Sequence, residues 1–136
     1  MQEAGLIEEM SILIIDDSEA NTLLLDAVLS KEGFDNINTA FSLEQALKRL
    51  EGFPIDLILL SFVLPDVSGL EASKIISQDL RFEDIPIIMV TANTDMQTLK
   101  SSFEHGASDY ISKPINNVEL TARVHSHLIR KQVNDE

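Results

Sequence analysis

The sequence predicts an α/β protein built on one doubly wound parallel sheet. Five short β-rich runs alternate with five amphipathic helical patterns along the 136 residues. A run such as "SILII" is apolar at consecutive positions after its serine, which indicates a strand covered on both faces, as in parallel sheets. Crossovers between parallel strands are right-handed, so five repeats of strand and helix give a single open sheet.

The first half of the chain begins with a strand at Ser11–Ile15 and a helix that ends at Gly33, a residue typical of helix ends. The pattern "NINTA" predicts a second strand. Ser42 and Gln45 form the start of a helix that we expect to reach Leu50. A buried strand, Leu57–Leu60, follows.

The second half continues the same alternation. A helix is predicted to start at Ser68 or Gly69, and "PIIMV" predicts the fourth strand. The next helix carries apolar residues at i, i+3 and i+7 and ends at Gly106. The short run "DYI" predicts the fifth strand, and Asn116 caps a last helix with leucine and valine at i+4 steps.

Composition restricts the classes of function. The net charge of −13 would repel phosphate backbones and anionic membranes, which argues against direct binding to nucleic acid or membrane. No apolar run approaches the roughly 20 residues of a membrane span. The absence of cysteine excludes disulfides and fits a reducing compartment, so we expect a cytoplasmic protein.

Polar residues follow four of the predicted strands. Asp16 and Asp17 come after the first strand, Ser61 after the third, Thr91 after the fourth and Lys113 after the fifth. Open parallel sheets place their sites at this edge. Two adjacent carboxylates suit Mg²⁺, and a hydroxyl with an ammonium suits phosphoryl oxygens. The residues therefore predict a pocket for Mg²⁺ and a phosphoryl group.

Four segments carry a resemblance to a known family: "ILIIDD", "DLILLSFVLPDVSG", "IIMVTA" and "GASDYISKP". Together they resemble the receiver domain of two-component response regulators, in order and spacing, over roughly residues 11–129. The resemblance implies a flavodoxin-like fold with strand order 2-1-3-4-5. It also implies a non-enzymatic signalling domain that takes phosphate from a sensor histidine kinase.

The resemblance assigns roles to particular residues. Asp16, Asp17 and the backbone carbonyl of Val63 would bind Mg²⁺. Thr91 and Lys113 would contact the phosphoryl group.

Two further expectations come from the same resemblance. Thr91 and Tyr110 would change conformation with the phosphorylation state. The Lys113–Pro114 peptide bond is a candidate for the cis form.

The sequence departs from the family at Ser61, which occupies the position of the aspartate that accepts phosphate. A serine hydroxyl is a poor nucleophile without a base, and its oxygen lies about one bond length short of a carboxylate oxygen. The serine also removes an anionic metal ligand, so we expect Mg²⁺ to bind weakly or not at all. The serine fits either a naturally degenerate receiver or a deliberate replacement of the acceptor, with a slight preference for the natural origin.

The predicted domain spans residues 11–130, between an N-terminal extension (1–10) and a tail (131–136) that would begin a linker to an output domain. We expect function through protein–protein contacts on the face formed by the fourth helix, fifth strand and fifth helix. That face would include residues 96–104, Tyr110 and the surface of residues 117–130, and it could form a homodimer.

Two alternatives remain at this stage. The chain could be a Mg²⁺-dependent phosphoryl hydrolase with Asp17 as nucleophile, although Glu19 stands where related phosphatases carry a second aspartate. A serine kinase could also phosphorylate Ser61, or a neighbouring carboxylate could accept phosphate.

Overall fold

A computed structural model describes residues 6–93 and 95–134 of the chain. Five parallel strands form one sheet in the order β2-β1-β3-β4-β5, which confirms the predicted flavodoxin-like arrangement. The strands are β1 (Ser11–Ile15), β2 (Asn36–Ala40), β3 (Leu57–Ser61), β4 (Ile87–Thr91) and β5 (Asp109–Ser112).

Each of the five helices begins at a polar cap. Ser18, Ser42, Ser68, Asp95 and Asn116 each accept a hydrogen bond from the backbone N–H three residues later. Such caps satisfy an N–H group that has no partner within the helix. The helices are α1 (Glu19–Lys31), α2 (Leu43–Gly52), α3 (Gly69–Gln78), α4 (Met96–Glu104) and α5 (Asn117–Asn134).

The sheet separates two hydrophobic cores. Successive side chains of a strand point to opposite faces, so Leu13 and Ile15 pack towards α2 and α3, whereas Ile12 and Ile14 pack towards α1 and α5. The predicted stripe of α5 is confirmed, since Leu120, Val124 and Leu128 are fully buried. The covered sheet holds the ends of β1, β3, β4 and β5 at one edge.

Helix α4 differs from its sequence pattern. Its apolar residues Met96 and Phe103 are 80% and 48% exposed, whereas Ser102 is buried. The small Ser102 side chain donates to the backbone carbonyl of Thr98, so it meets the protein interior without an unpaired hydroxyl. The apolar residues at the two ends of this pattern therefore lie on the protein surface and not in the core. Leu24 of α1 is likewise 47% exposed.

The ends of the chain differ from the expected boundaries. Helix α5 continues to Asn134, so the expected tail begins as helix, and residues 135–136 lie outside the described part. Within the expected N-terminal extension, Ile7–Glu9 form a 3-10 turn, while residues 1–5 lie outside the described part. Across the described residues, no helix is both long and apolar enough to span a membrane.

Candidate functional site

Strand register brings the predicted site residues to one edge of the sheet. Ile15 pairs with Leu60, so Asp16 and Ser61 follow at the same level. Thr91 pairs with Ser112, which places Lys113 one residue further along. Ser61 and Thr91 are the last residues of β3 and β4, so each of these strands extends one residue beyond its predicted end. The site therefore rests on regular backbone that neighbouring strands hold in place.

Two cavities open at this edge, and Lys113 lines both. The first is about 360 Å³ in volume, and Ser61, Val63, Thr91 and Asn93 contribute to its wall. The second is about 240 Å³ and is lined by Asp16, Asn21, Leu24, Leu25, Val90, Lys113, Pro114 and Ile115.

Ser61 is almost completely buried and makes both of its hydrogen bonds to one neighbour. Its Oγ donates to the Val63 carbonyl oxygen at 3.0 Å and accepts from the Val63 N–H at 3.3 Å. The hydroxyl proton is thus already in use, and so is the carbonyl that the resemblance assigns to a metal. These two hydrogen bonds hold the first residues of the β3–α3 loop in a tight turn next to Ser61.

The two adjacent acids occupy different environments. Asp16 is 2% exposed, and its carboxylate accepts from the Ser18 N–H at 2.8 Å and from the Asn21 side-chain amide at 3.2 Å. Asp17 is exposed and lines neither cavity. Asp16 therefore also holds the first turn of α1, whereas Asp17 faces solvent.

Thr91 and Lys113 both line the first cavity. Thr91 is buried, and its Oγ1 accepts from the Asn93 N–H at 2.9 Å. The Lys113 N–H donates to the Thr91 carbonyl at 2.9 Å, but its ammonium bonds to no residue within 6–93 or 95–134. The Lys113–Pro114 peptide bond is cis, as predicted. An unpaired cation thus faces the cavity that contains Ser61.

The donor set fits a divalent cation only in part. Mg²⁺ requires near-octahedral oxygen ligands and commonly keeps several waters. The Val63 carbonyl is engaged by Ser61, and both oxygens of Asp16 already accept hydrogen bonds. Among the described residues, no three His, Asp or Glu side chains are grouped so that they could share an ion. Asp17, Asp16 and the Val63 carbonyl remain the groups that would hold Mg²⁺.

Sequence patterns missed the carboxylate that positions the β3–α3 loop. Asp66 accepts from the N–H groups of Leu43 and Glu44, both at 3.1 Å, and so joins this loop to the start of α2. Slight burial raises the pKa of Asp66, but these backbone donors and that of Val67 bring it below its usual value. A carboxylate at a helix start is a general signal, but only the fold shows which helix it reaches.

Tyr110, the predicted switch residue, lies away from both cavities. Its ring is half-buried and packs edge-on against Phe103 of α4, with centroids 6.4 Å apart. The preceding residue, Asp109, points to the opposite face and binds Arg123 and His127 of α5. Tyr110 thus joins β5 to the exposed surface of α4.

Comparison with known proteins agrees with this geometry. Residues 12–125 match the family described as "Response regulator receiver domain". The chain is 40% identical over 124 residues to the transcriptional regulatory protein YvrH of Bacillus subtilis, covering 91% of this chain and 51% of YvrH. It is 36% identical over 121 residues to the DNA-binding response regulator MtrA of Mycolicibacterium smegmatis, covering 89% of this chain and 51% of MtrA. The chain thus spans about half the length of these relatives.

Among solved structures, a two-component response regulator from Clostridium difficile superimposes with a TM-score of 0.82 at 30% identity. The match covers 90% of this chain and 98% of that one. The family match covers most of the chain and includes the strands that carry the site. The chain therefore belongs to the receiver-domain family of response regulators.

Proposed function

We propose that this receiver domain cannot take phosphate at the usual acceptor position and that it acts through protein–protein contacts. The observation that carries the proposal is the position of Ser61 at the end of β3, with its hydroxyl bonded to both backbone groups of Val63. The family's acceptor is an aspartate at this place. A neutral hydroxyl that is already hydrogen-bonded replaces an ionised nucleophile.

The surroundings of Ser61 do not activate its hydroxyl. Nucleophilic serine needs a base that takes its proton. Among the residues that the structure describes, neither histidine nor a carboxylate lines the 360 Å³ cavity, and Lys113 is the only charged residue in its wall. Asp16 is held by Ser18 and Asn21. The serine is therefore expected to remain unmodified by small phosphodonors.

Weak Mg²⁺ binding is part of the same proposal. A metal at this edge would draw on Asp17 and Asp16 and would compete with the Ser61 hydroxyl for the Val63 carbonyl. We expect a dissociation constant in the millimolar range or weaker, since one anionic ligand is missing. Titration calorimetry with Mg²⁺ measures this, and a micromolar constant would contradict it.

Replacing Ser61→Asp tests the proposal through gain of function. Acetyl phosphate and Mg²⁺ are added to the variant, and its intact mass is followed over time. We expect one labile phosphoryl group to appear on the variant, because Thr91 and Lys113 remain in place. The matched control is Ser61→Asn, which has a similar size but no nucleophilic carboxylate and should stay unmodified. A variant Ser61→Asp that never gains phosphate would show that more than this residue is lost.

Partner contacts would use the surface formed by α4, Tyr110 of β5 and the adjoining side of α5. Met96 and Phe103 are exposed there, and Tyr110 of β5 packs against Phe103. We propose a sensor histidine kinase or another signalling protein as partner in the cytoplasm. The relatives named as regulators are about twice as long, so a DNA-binding part would belong to a segment outside this chain. This acidic domain itself would not bind nucleic acid.

No observation favours the hydrolase alternative. Its nucleophile, Asp17, is exposed and lines neither cavity at the strand ends. Catalytic carboxylates need a positioned partner and a site that excludes water. We therefore propose that the domain is not an enzyme. Turnover of an aryl phosphate that depends on Mg²⁺ and disappears in Asp17→Asn would contradict this.

A further inference from the structure

The outward face of α5 forms an uncharged stripe on a strongly acidic protein. The chain contains 23 Asp and Glu residues, yet none of them lies on this stripe. Val118, Ile129 and Val133 are 79%, 43% and 62% exposed there. The α5 stripe consists of Val118, Ala122, His125, Ser126, Ile129 and Val133.

The stripe borders a groove of about 630 Å³ between α5 and the end of α1. Val118, Ala122, His125 and Ile129 line it, and Glu32, just after α1, is the only charged residue in its wall within the described part of the chain. Exposed apolar side chains that line a groove are typical of a surface that another protein covers.

The spacing of the stripe is symmetric about a point between His125 and Ser126. If a second α5 ran antiparallel across that point, Val118 would face Val133 of the second copy. Ala122 would face Ile129, so that the smallest apolar side chain meets the largest. A two-fold interface requires such reciprocal pairs, in which each residue of a pair occurs on both sides.

Charge also favours a second copy at this helix. Two chains of net charge −13 repel each other, and the repulsion is smallest where acids are fewest. Helix α5 carries three of the chain's ten Lys and Arg residues but only one of its acids, Glu119. Antiparallel helices also bring opposite dipole ends together.

We propose that two copies of this chain associate through the α5 stripe, antiparallel and about a two-fold axis between His125 and Ser126. The stripe borders the end of α1 rather than α4, so the exposed surface of α4 and Tyr110 stays free in such a pair. One helix face buries less than the roughly 800 Å² per partner of a standard interface. The pair is therefore a monomer–dimer equilibrium that depends on concentration.

Sedimentation of two matched variants tests which face associates. Ala122→Glu places a carboxylate within the stripe while keeping a good helix former, and it weakens association by about tenfold or more. Phe103→Glu puts the same charge on α4 and leaves association unchanged. Circular dichroism confirms that both variants remain folded. The proposal is overturned if Phe103→Glu is the disruptive change, or if the unaltered chain stays monomeric up to about 1 mM.

Engineered cysteines test the antiparallel register, since the chain has no native cysteine. Val118→Cys and Val133→Cys are prepared in separate chains and oxidised mildly, alone and mixed. In the proposed pair, residue 118 lies next to residue 133 of the other copy and about 22 Å from the other 118, from the helical rise. The mixture forms disulfide-linked dimers and the single variants do not. Efficient linking of either variant alone would overturn the antiparallel arrangement.

Discussion

Two polar clusters lie on this sheet, and they differ in whether their charges are paired within the protein. Where β5 begins, two side chains of α5 contact Asp109: Arg123 Nη1 lies 3.0 Å from each carboxylate oxygen, and His127 Nε2 lies 3.0 Å from Oδ2. At the opposite edge, beside Ser61, the Lys113 ammonium meets no anion within the described part of the chain. The carboxylate of the first cluster is therefore paired with side chains of the protein, whereas the ammonium of the second is not paired among the described residues.

The difference separates a structural cluster from a candidate functional one. A carboxylate removed from water is costly unless it is paired, so Asp109 depends on Arg123 and His127, and these contacts hold α5 on β5. Lys113 is half-exposed and remains hydrated without a partner. Its ammonium can therefore pair with an anionic group from outside the chain. The predictions below test this contrast, beginning with the largest effect.

Substituting Gly69→Ala should damage the Ser61 site most. A Cβ there would lie 2.6 Å from Phe62 Cα and would also overlap the Ser61 carbonyl oxygen, and both obstacles are backbone. We expect a loss of about 2–4 kcal/mol in the free energy of unfolding, since backbone cannot move as a side chain can. Urea unfolding measures the loss.

The control for this change is Gly52→Ala at the end of α2. A Cβ at Gly52 would meet no atom within 4 Å. This variant should be neutral or more stable by up to about 1 kcal/mol. Equal effects at the two glycines would contradict the close packing inferred behind Ser61.

Substituting Asp109→Asn should disrupt the cluster of Asp109, Arg123 and His127. It removes the carboxylate that Arg123 and His127 share and leaves Arg123 only the 3.4 Å contact with Glu119, so we expect a loss of about 1–3 kcal/mol in the free energy of unfolding. Asp17→Asn is the matched control, because Asp17 is exposed, and it should change stability little. A neutral result for Asp109→Asn would show that the cluster does not stabilise α5.

The stability difference between the unaltered chain and Asp109→Asn should also depend on pH. Burial raises the pKa of Asp109, but His127, the Tyr110 N–H and Arg123 bring it below its ordinary value. A lowered folded-state pKa gives stability that is present above the unfolded pKa, about 4, and is lost as the pH falls below it. The difference between the unaltered chain and Asp109→Asn should therefore shrink below about pH 4. A constant difference would contradict the ionic contribution of Asp109.

Substituting Lys113→Met should have the smallest effect on stability. The ammonium bonds to nothing in the described chain, so we expect a change within about 0.5 kcal/mol. The informative comparison is made in the Ser61→Asp background, where loss of Lys113 should slow phosphorylation. A large loss of stability from Lys113→Met alone would place this residue in the structural class with Arg123.

Much of the fold followed from the sequence because its signals are local. Strand β1, the Asn116 cap and the buried stripe of α5 depend on alternation, capping and period, which neighbouring residues determine. The convergence of Ser61, Thr91 and Lys113 followed from strand order. The exposure of Met96 and Phe103 did not, because periodicity shows that a helix has an apolar side but not whether the sheet covers it.

Contacts between distant residues could not be read from the sequence. His127 is 7% exposed and bound to Asp109, a residue 18 positions earlier that no local pattern connects with it. The Asp66 contact to α2 depends on the path of a loop. The double hydrogen bond between Ser61 and Val63 depends on backbone geometry that no residue pattern encodes.

The acceptor position can be tested most directly on the unaltered chain. The unaltered chain and the Ser61→Asp variant are each incubated with acetyl phosphate and Mg²⁺. Their intact masses are measured quickly, before a labile phosphoryl group could be lost by hydrolysis. The account predicts an unchanged mass for the unaltered chain and one added phosphoryl group for the variant. A readily hydrolysed phosphoryl group on residue 61 of the unaltered chain would contradict it.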